Sequence, residues 1–240
     1  MDETYTYDKM QEDELMNYYV MMNDFESSLM PRNLQAIIDD KKQINENWCY
    51  EASRHSFPYY IESQSCPENI FLLCNKNVGA MKFHYYKKDY GHLMSQELFD
   101  LVSEYKCSDF YHRSITATSI KDGAIIRDDL KYLYFKGDDL LDEKKSRLEE
   151  DKFGDYIPHD IVFNPVVKEY DIFSIRETLL GGFIFVKEDV KKSIENKGFK
   201  GIKFVMLKDA MGVYSKDYFY EFELNRKKQQ ENYLNNDISM

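Results

Sequence analysis

The sequence has few cysteines and lacks the short motifs that usually mark catalytic and nucleotide-binding sites. Only four of its 240 residues are cysteines, and no two form a Cys-x-x-Cys pair. Their irregular spacing argues against a disulfide framework and against a structural zinc site, and it is typical of reduced thiols. The chain also has no Gly-x-Gly-x-x-Gly, no Walker-type phosphate loop and no His-Glu-x-x-His. Phosphate-cradling loops and zinc-protease helices are therefore not predicted.

Long apolar runs and an excess of positive charge are also missing. No run approaches 18 apolar residues, so no membrane-spanning helix is expected. The first 14 residues carry six acids and one lysine and lack the order of a secretory signal, which predicts a cytoplasmic protein. Acidic residues outnumber basic ones by 43 to 32, a net charge of −11. Such a charge disfavours nucleic acid and membrane surfaces as partners and favours basic proteins, although it can also serve solubility alone.

Apolar and aromatic residues are abundant, at 43% and 15% of the chain. A chain of this length and composition can bury a substantial core. We predict an α+β fold, in which a mixed or antiparallel sheet and a few helices contain helix-turn-strand units. The predicted organisation is one domain over residues 17–224, between an acidic arm at 1–16 and a polar tail at 225–240. The polar stretch 137–151 is a candidate hinge within that domain.

The hydrophobic pattern predicts helices and strands along this domain. Strands are predicted at 17–22, 70–74, 110–120, 183–186, 202–207 and 218–224, and helices at 34–42, 96–105 and 188–197. Ser95 is the expected N-cap of the second helix, and Gly198 is expected to end the third. In the segment 171–207, five residues are expected to point inward: Phe185, Val190, Ile194, Ile202 and Phe204. Shifting the chain by 92 residues overlays the two helix-turn-strand units, with Leu98 on Val190 and Phe110 on Ile202.

Cysteine and histidine chemistry provides an alternative function, a small hydrolase or transferase. Cys49 and His55 are close in sequence and could form a nucleophile and its base. The histidine-bearing segment 83–92 is a second candidate, and Cys66, Cys74 and His84 are the candidates for a metal site. No sequence signature surrounds any of these residues. We therefore assign no catalytic, cofactor-binding or metal-binding residue.

The segment 137–151 is the densest acidic stretch outside the N-terminal arm, with seven acids against three bases. It is either a solvated loop or an acidic docking site for a basic partner. The candidate partner-binding residues are Asp138, Asp139, Asp142, Glu149 and Glu150.

Several motifs resemble a family of bacterial immunity proteins from polymorphic toxin systems, formerly catalogued as a domain of unknown function. The sharpest are DIFSI at 171–175, IFV at 184–186, Gly198, and GIKF at 201–204. The strand NYYVMM with the turn Asn23-Asp24, and the stretch from Leu93 to Ile115, are weaker matches. The sequence departs from the family pattern at Phe110-Tyr111-His112, and the segment 48–86 matches nothing in it.

The resemblance implies a protein that binds and neutralises a cognate toxin by association, with no catalysis and no cofactor. A basic toxin, such as a nuclease, would suit the negative charge. The resemblance carries over no catalytic residues, and it leaves the oligomeric state open.

Overall fold

A four-stranded sheet and a six-stranded sheet carry the fold. The computed structural model describes residues 18–49, 60–75, 81–137, 139–176 and 178–219. Its strands are Tyr18–Asn23 (β1), Ala36–Asp39 (β2), Asn69–Cys74 (β3), Tyr85–Lys88 (β4), Gly91–Ser95 (β5), Phe110–Ser119 (β6), Ile125–Phe135 (β7), Arg147–Glu150 (β8), Tyr156–Asp160 (β9), Ile172–Phe173 (β10), Ile184–Lys187 (β11) and Ile202–Met206 (β12). Its helices are Gln96–Val102 (α1), Glu188–Lys197 (α2) and Leu207–Tyr218 (α3), with a 3₁₀ helix at Pro165–Glu169.

The sheets combine antiparallel and parallel pairing. The smaller sheet has the order β10-β11-β1-β12 and is antiparallel throughout. The larger has the order β2-β3-β6-β7-β5-β4, in which β3 and β6 run parallel. Strands β8 and β9 form a separate hairpin. These features confirm the predicted α+β class with a mixed sheet.

The two predicted helix-turn-strand units share one topology. In β5-α1-β6, the two strands flank the antiparallel strand β7, and in β11-α2-β12 they flank β1 in the same way. The helices begin 92 residues apart, at Gln96 and Glu188. Ser95 accepts a hydrogen bond from the Leu98 N–H, as the capping prediction requires. Leu98 and Val102 of α1 share one buried cluster with Val190 and Ile194 of α2, so the two units pack against each other.

Strand β1 separates two cores because its side chains alternate between the two faces of its sheet. Val20 and Met22 enter one core with Phe173 and Phe185, whereas Met21 enters the core that contains α1 and α2. At the end of β1, the side chain of Asn23 bonds to the edge of β4. Its Oδ1 accepts from the Lys87 N–H at 2.7 Å, and its Nδ2 donates to the Lys87 carbonyl at 3.2 Å. This amide thus joins the two sheets.

Two predicted elements are wrong. Residues 34–42 do not form a helix, because Ala36–Asp39 is strand β2, paired antiparallel with β3. Its neighbouring residues Ile37 and Ile38 enter different buried clusters, an arrangement that a strand between two apolar layers provides. The strand predicted at 218–224 is also wrong at its start, since Tyr218 ends helix α3. Residues 220–224, like both predicted terminal arms, lie outside the described residues.

The inward orientation predicted for five residues of the segment 171–207 is confirmed, but they are buried to different degrees. Phe185, Val190 and Ile194 are fully buried, whereas Ile202 and Phe204 are half-buried and pack against the cluster of Val190 and Ile194. Strand β12 is an edge strand of its sheet in the described part of the chain, so it has fewer neighbours to cover its side chains.

Gly198 and Gly212 give a matched test of the predicted helix end. Gly198 has φ +70° and follows α2, whereas Gly212 lies inside α3 with no positive φ, and a Cβ at either position would meet no atom within 4 Å. We expect Gly198→Ala to destabilise the protein by about 1–2 kcal/mol because an L residue resists positive φ. Gly212→Ala should stabilise it by about 0.5–1 kcal/mol. Urea denaturation of both variants measures the difference, and equal midpoints would contradict this account.

Candidate partner-binding surface

The acidic segment is anchored by pairing with the chain that follows it. Leu140 and Leu141 are buried in the core on the Phe173 side of the four-stranded sheet. The Asp142 N–H donates to the Val162 carbonyl at 2.8 Å, and β8 continues this arrangement by pairing with β9. The segment therefore presents its charges from an ordered scaffold, and its role as a hinge stays a prediction.

The predicted partner-binding residues fall into different environments. Asp139 and Glu150 are exposed, and neither forms an ion pair with another described residue. Asp142 is largely enclosed and bonds to both the backbone N–H and the Nζ of Lys145, each at 3.3 Å. The Oε2 of Glu149 lies 2.9 Å from the Nε2 of His159. Asp138 lies outside the described residues, so the structure places four of the five predicted residues.

The tip of the β8–β9 hairpin exposes an aromatic ring that the sequence analysis did not single out. Asp151 is 4% exposed, and its Oδ1 accepts from the N–H groups of Phe153 and Asp155, both at 2.8 Å. Gly154 follows with φ +90°, and Phe153 is 73% exposed. The Asp-x-x-Gly pattern at 151–154 was the available sequence signal for this turn. The hairpin thus combines exposed carboxylates with an exposed ring.

Burial keeps two of the four thiols protonated. Burial raises the pKa of both Cys74 and Cys107 to about 12, so both are thiols at neutral pH. Cys49 is exposed, and its proposed partner His55 lies outside the described residues. Cys66 and Cys74 are buried, and His84 accepts a hydrogen bond at Nδ1 from the Lys200 N–H at 2.9 Å. No group of three His, Cys, Asp or Glu side chains suited to a metal occurs in the described part of the chain.

The histidine-bearing segment 83–92 ends in a buried polar cluster. His92 is fully buried, with its Nδ1 3.0 Å from the Tyr85 hydroxyl, which in turn donates to the Met21 carbonyl at 3.3 Å. Burial lowers the pKa of His92 well below its usual value, and the charge of Lys87 lowers it further. A neutral, enclosed imidazole is a structural group in this arrangement, because solvent cannot reach it.

The enclosed imidazole should make the stability depend on pH. Below the unfolded-state pKa of about 6.5, His92 binds a proton in the unfolded chain but stays neutral in the folded protein. The free energy of unfolding therefore decreases as the pH falls. Between pH 7 and pH 5.5, we expect the free energy of unfolding to decrease by about 1 kcal/mol more in the unsubstituted protein than in His92→Phe. The variant retains the ring packing and removes this titration, while His84 and His112 remain. Urea denaturation at both pH values measures the difference, and equal losses would contradict the account.

In the described residues, no helix combines the length and apolar character needed to cross a bilayer.

The chain matches a known family over most of its length. No curated protein matches the sequence. A family model described as Immunity protein 43 matches residues 22–222. This range includes the β8–β9 hairpin, the units β5-α1-β6 and β11-α2-β12, and the four sharpest motifs of the resemblance between residues 171 and 204. The chain belongs to the Immunity protein 43 family.

Proposed function

We propose that this protein binds a cognate protein toxin in the bacterial cytoplasm and neutralises it without catalysis. The observation that carries the proposal is the match of residues 22–222 to an immunity-protein family, which implies a toxin as partner. Inhibition requires only that the bound protein covers the toxin's active site or holds it in an inactive conformation. An interface of about 1,600 Å² is sufficient for a stable complex of this kind.

The surroundings of two candidate side chains, Cys74 and His92, support a function without catalysis. Cys74 is buried and its thiol is protonated at neutral pH, and His92 is closed off from solvent. A nucleophile needs a thiolate or an adjacent base that reaches substrate, and neither residue meets this requirement.

A basic toxin, such as a nuclease, suits the charge of the protein. The net charge of −11 attracts a positively charged partner from a distance and increases its association rate. The β8–β9 hairpin adds a local contact, because it exposes both the carboxylate of Glu150 and the ring of Phe153. Aromatic residues are frequent anchors of protein interfaces.

The experiment that tests the proposal pairs this protein with the product of the adjacent toxin gene. Co-expression should protect cells from that toxin, and the two proteins should co-purify. A toxin that kills equally in the presence of the protein, and does not co-purify with it, would overturn the proposal.

The exposed carboxylates of the acidic segment 137–151 predict a change in association kinetics. We expect Asp139→Asn with Glu150→Gln to slow association with the toxin and to flatten its dependence on salt, with little change in dissociation. Glu62→Gln with Glu68→Gln is the matched control, since it removes two exposed carboxylates near the start of β3 in the other sheet. Stopped-flow rates at two ionic strengths measure the effect. Equal on-rates and salt slopes in the two variants would show that Asp139 and Glu150 do not steer the toxin to this protein.

A further inference from the structure

A groove of about 280 Å³ opens where α2 ends and β12 begins. Three carboxylates contribute to its lining: Asp24 and Glu26 from the turn after β1, and Glu195 from the last turn of α2. Two aromatic rings, Phe199 and Phe204, and the amine of Lys203 complete the polar and aromatic part of the lining. The groove is smaller than the roughly 300–1,000 Å³ of typical small-molecule sites. Its size suits one inserted side chain.

The charges of the groove favour a cation. Asp24 accepts a hydrogen bond from the Glu26 N–H at 3.2 Å and forms no ion pair with any described residue. Glu195 lies in the last turn of α2, where the helix dipole is negative and also attracts positive charge. Both carboxylates therefore contribute negative potential to the lining of the groove.

Of the three carboxylates in the lining, Asp24 is the one that forms no ion pair with a described residue. Lys203 lies 3.2 Å from the carboxylate of Asp217, whose side chain is 2% exposed, and 3.9 Å from the carboxylate of Glu26. Glu26 contacts Lys216 at 3.4 Å, and Glu195 contacts Lys191 at 3.9 Å. Both pairs have exposed members, and exposed ion pairs of this kind contribute little binding energy.

The aromatic wall distinguishes between an arginine and a lysine. The Phe199 ring makes an edge contact with His84 at 5.1 Å between centroids, and His84 itself accepts from the Lys200 N–H. This support fixes the ring beside the carboxylates. A guanidinium is planar, so it can stack flat on a ring while its edge bonds to a carboxylate through two N–H groups, a geometry that a tetrahedral ammonium does not offer.

We propose that the groove receives an arginine side chain of the cognate toxin. This assignment rests on the proposed function, in which a protein toxin is the partner, and it adds a contact separate from the acidic segment 137–151.

The first test uses methylguanidinium as the probe and needs no toxin. In NMR titrations of the full-length protein, the backbone amide signals of Asp24, Glu195 and Phe199 should shift and saturate. Methylammonium should bind more weakly than methylguanidinium, because it has neither a flat face for the ring nor the paired N–H donors that match a carboxylate. Shifts that do not saturate would overturn the proposal.

Two variants show whether the carboxylates of the groove hold the probe. Asp24→Asn with Glu195→Gln should abolish the saturation, whereas the control Glu62→Gln with Glu68→Gln should retain it. The side-chain amide introduced at position 24 keeps an oxygen that can accept from the Glu26 N–H, so the groove variant should have an unchanged denaturation midpoint. Saturable shifts that persist in the groove variant would overturn the proposal.

The second test measures the affinity of the toxin for the same variants. Relative to the control pair, Asp24→Asn with Glu195→Gln should raise the Kd by about tenfold or more. Equal affinities of the two variants would overturn the groove as the arginine site and leave the proposed function intact. If the unaltered protein does not bind the toxin, the proposed function fails, and the assignment of the occupant fails with it.

Discussion

Replacing Phe185 with alanine is expected to lower the free energy of unfolding by about 3–5 kcal/mol. The side chain is fully buried in β11, and its ring stacks on Phe173 with 5.3 Å between centroids and an interplanar angle of 12°. Phe163 contacts the same ring edge-on at 5.7 Å. The substitution removes this whole cluster of contacts and leaves a cavity among rigid rings.

Phe204→Ala is the matched control for this prediction. The sequence pattern places Phe204 inward as well, but the structure shows it half-buried on the edge strand β12. Its loss should therefore cost clearly less than the loss of Phe185. Urea denaturation of both variants measures the comparison, and a cost for Phe204→Ala equal to that of Phe185→Ala would contradict the described packing.

Replacing Asn23 with alanine is expected to cost about 3 kcal/mol, because it leaves two backbone groups without their partner at roughly 1–3 kcal/mol each. The Asn23 side chain is 1% exposed and satisfies both the N–H and the carbonyl of Lys87 at the edge of β4. Urea denaturation of the variant measures the loss.

Two measurements isolate the role of Asn23. Asn47→Ala makes the same chemical change at an exposed position and should leave the denaturation midpoint unchanged. In hydrogen exchange, the Lys87 amide should lose protection in Asn23→Ala while the amides inside β6 and β7 keep theirs. Unchanged protection at Lys87 would show that the side-chain amide does not join the sheets.

Local signals in the sequence predict local structure well in this chain. Helix α2 has the predicted bounds of 188–197, because a regular apolar face precedes a glycine that adopts positive φ. The Ser95 cap is confirmed for the same reason, since its hydrogen bond spans only three residues. The strand at 36–39 was missed because Leu34, Ile37 and Ile38 have helical spacing. The structure of this segment is determined instead by the pairing of residues 36–39 with β3, which lies more than thirty residues away in the sequence.

For the candidate surfaces too, the sequence predicts local features but not contacts between distant residues. Composition alone identifies the acidic segment, and the structure adds that Asp139 and Glu150 are exposed whereas Asp142 and Glu149 have partners. The groove could not be predicted, because it brings Asp24 together with Glu195 from a distant part of the chain. Contacts of this range follow from sheet order, which no local pattern contains.

If this protein inhibits its toxin by stoichiometric binding, as we propose, a titration of toxin activity should show it. With the toxin held well above the Kd, residual activity should fall linearly and reach its minimum at a fixed molar ratio. Denaturing the complex should then release a toxin of unchanged mass and full activity, and Cys49→Ala should give the same curve. Inhibition far below stoichiometric amounts, or a toxin recovered with an altered mass, would contradict the account and would indicate an enzyme.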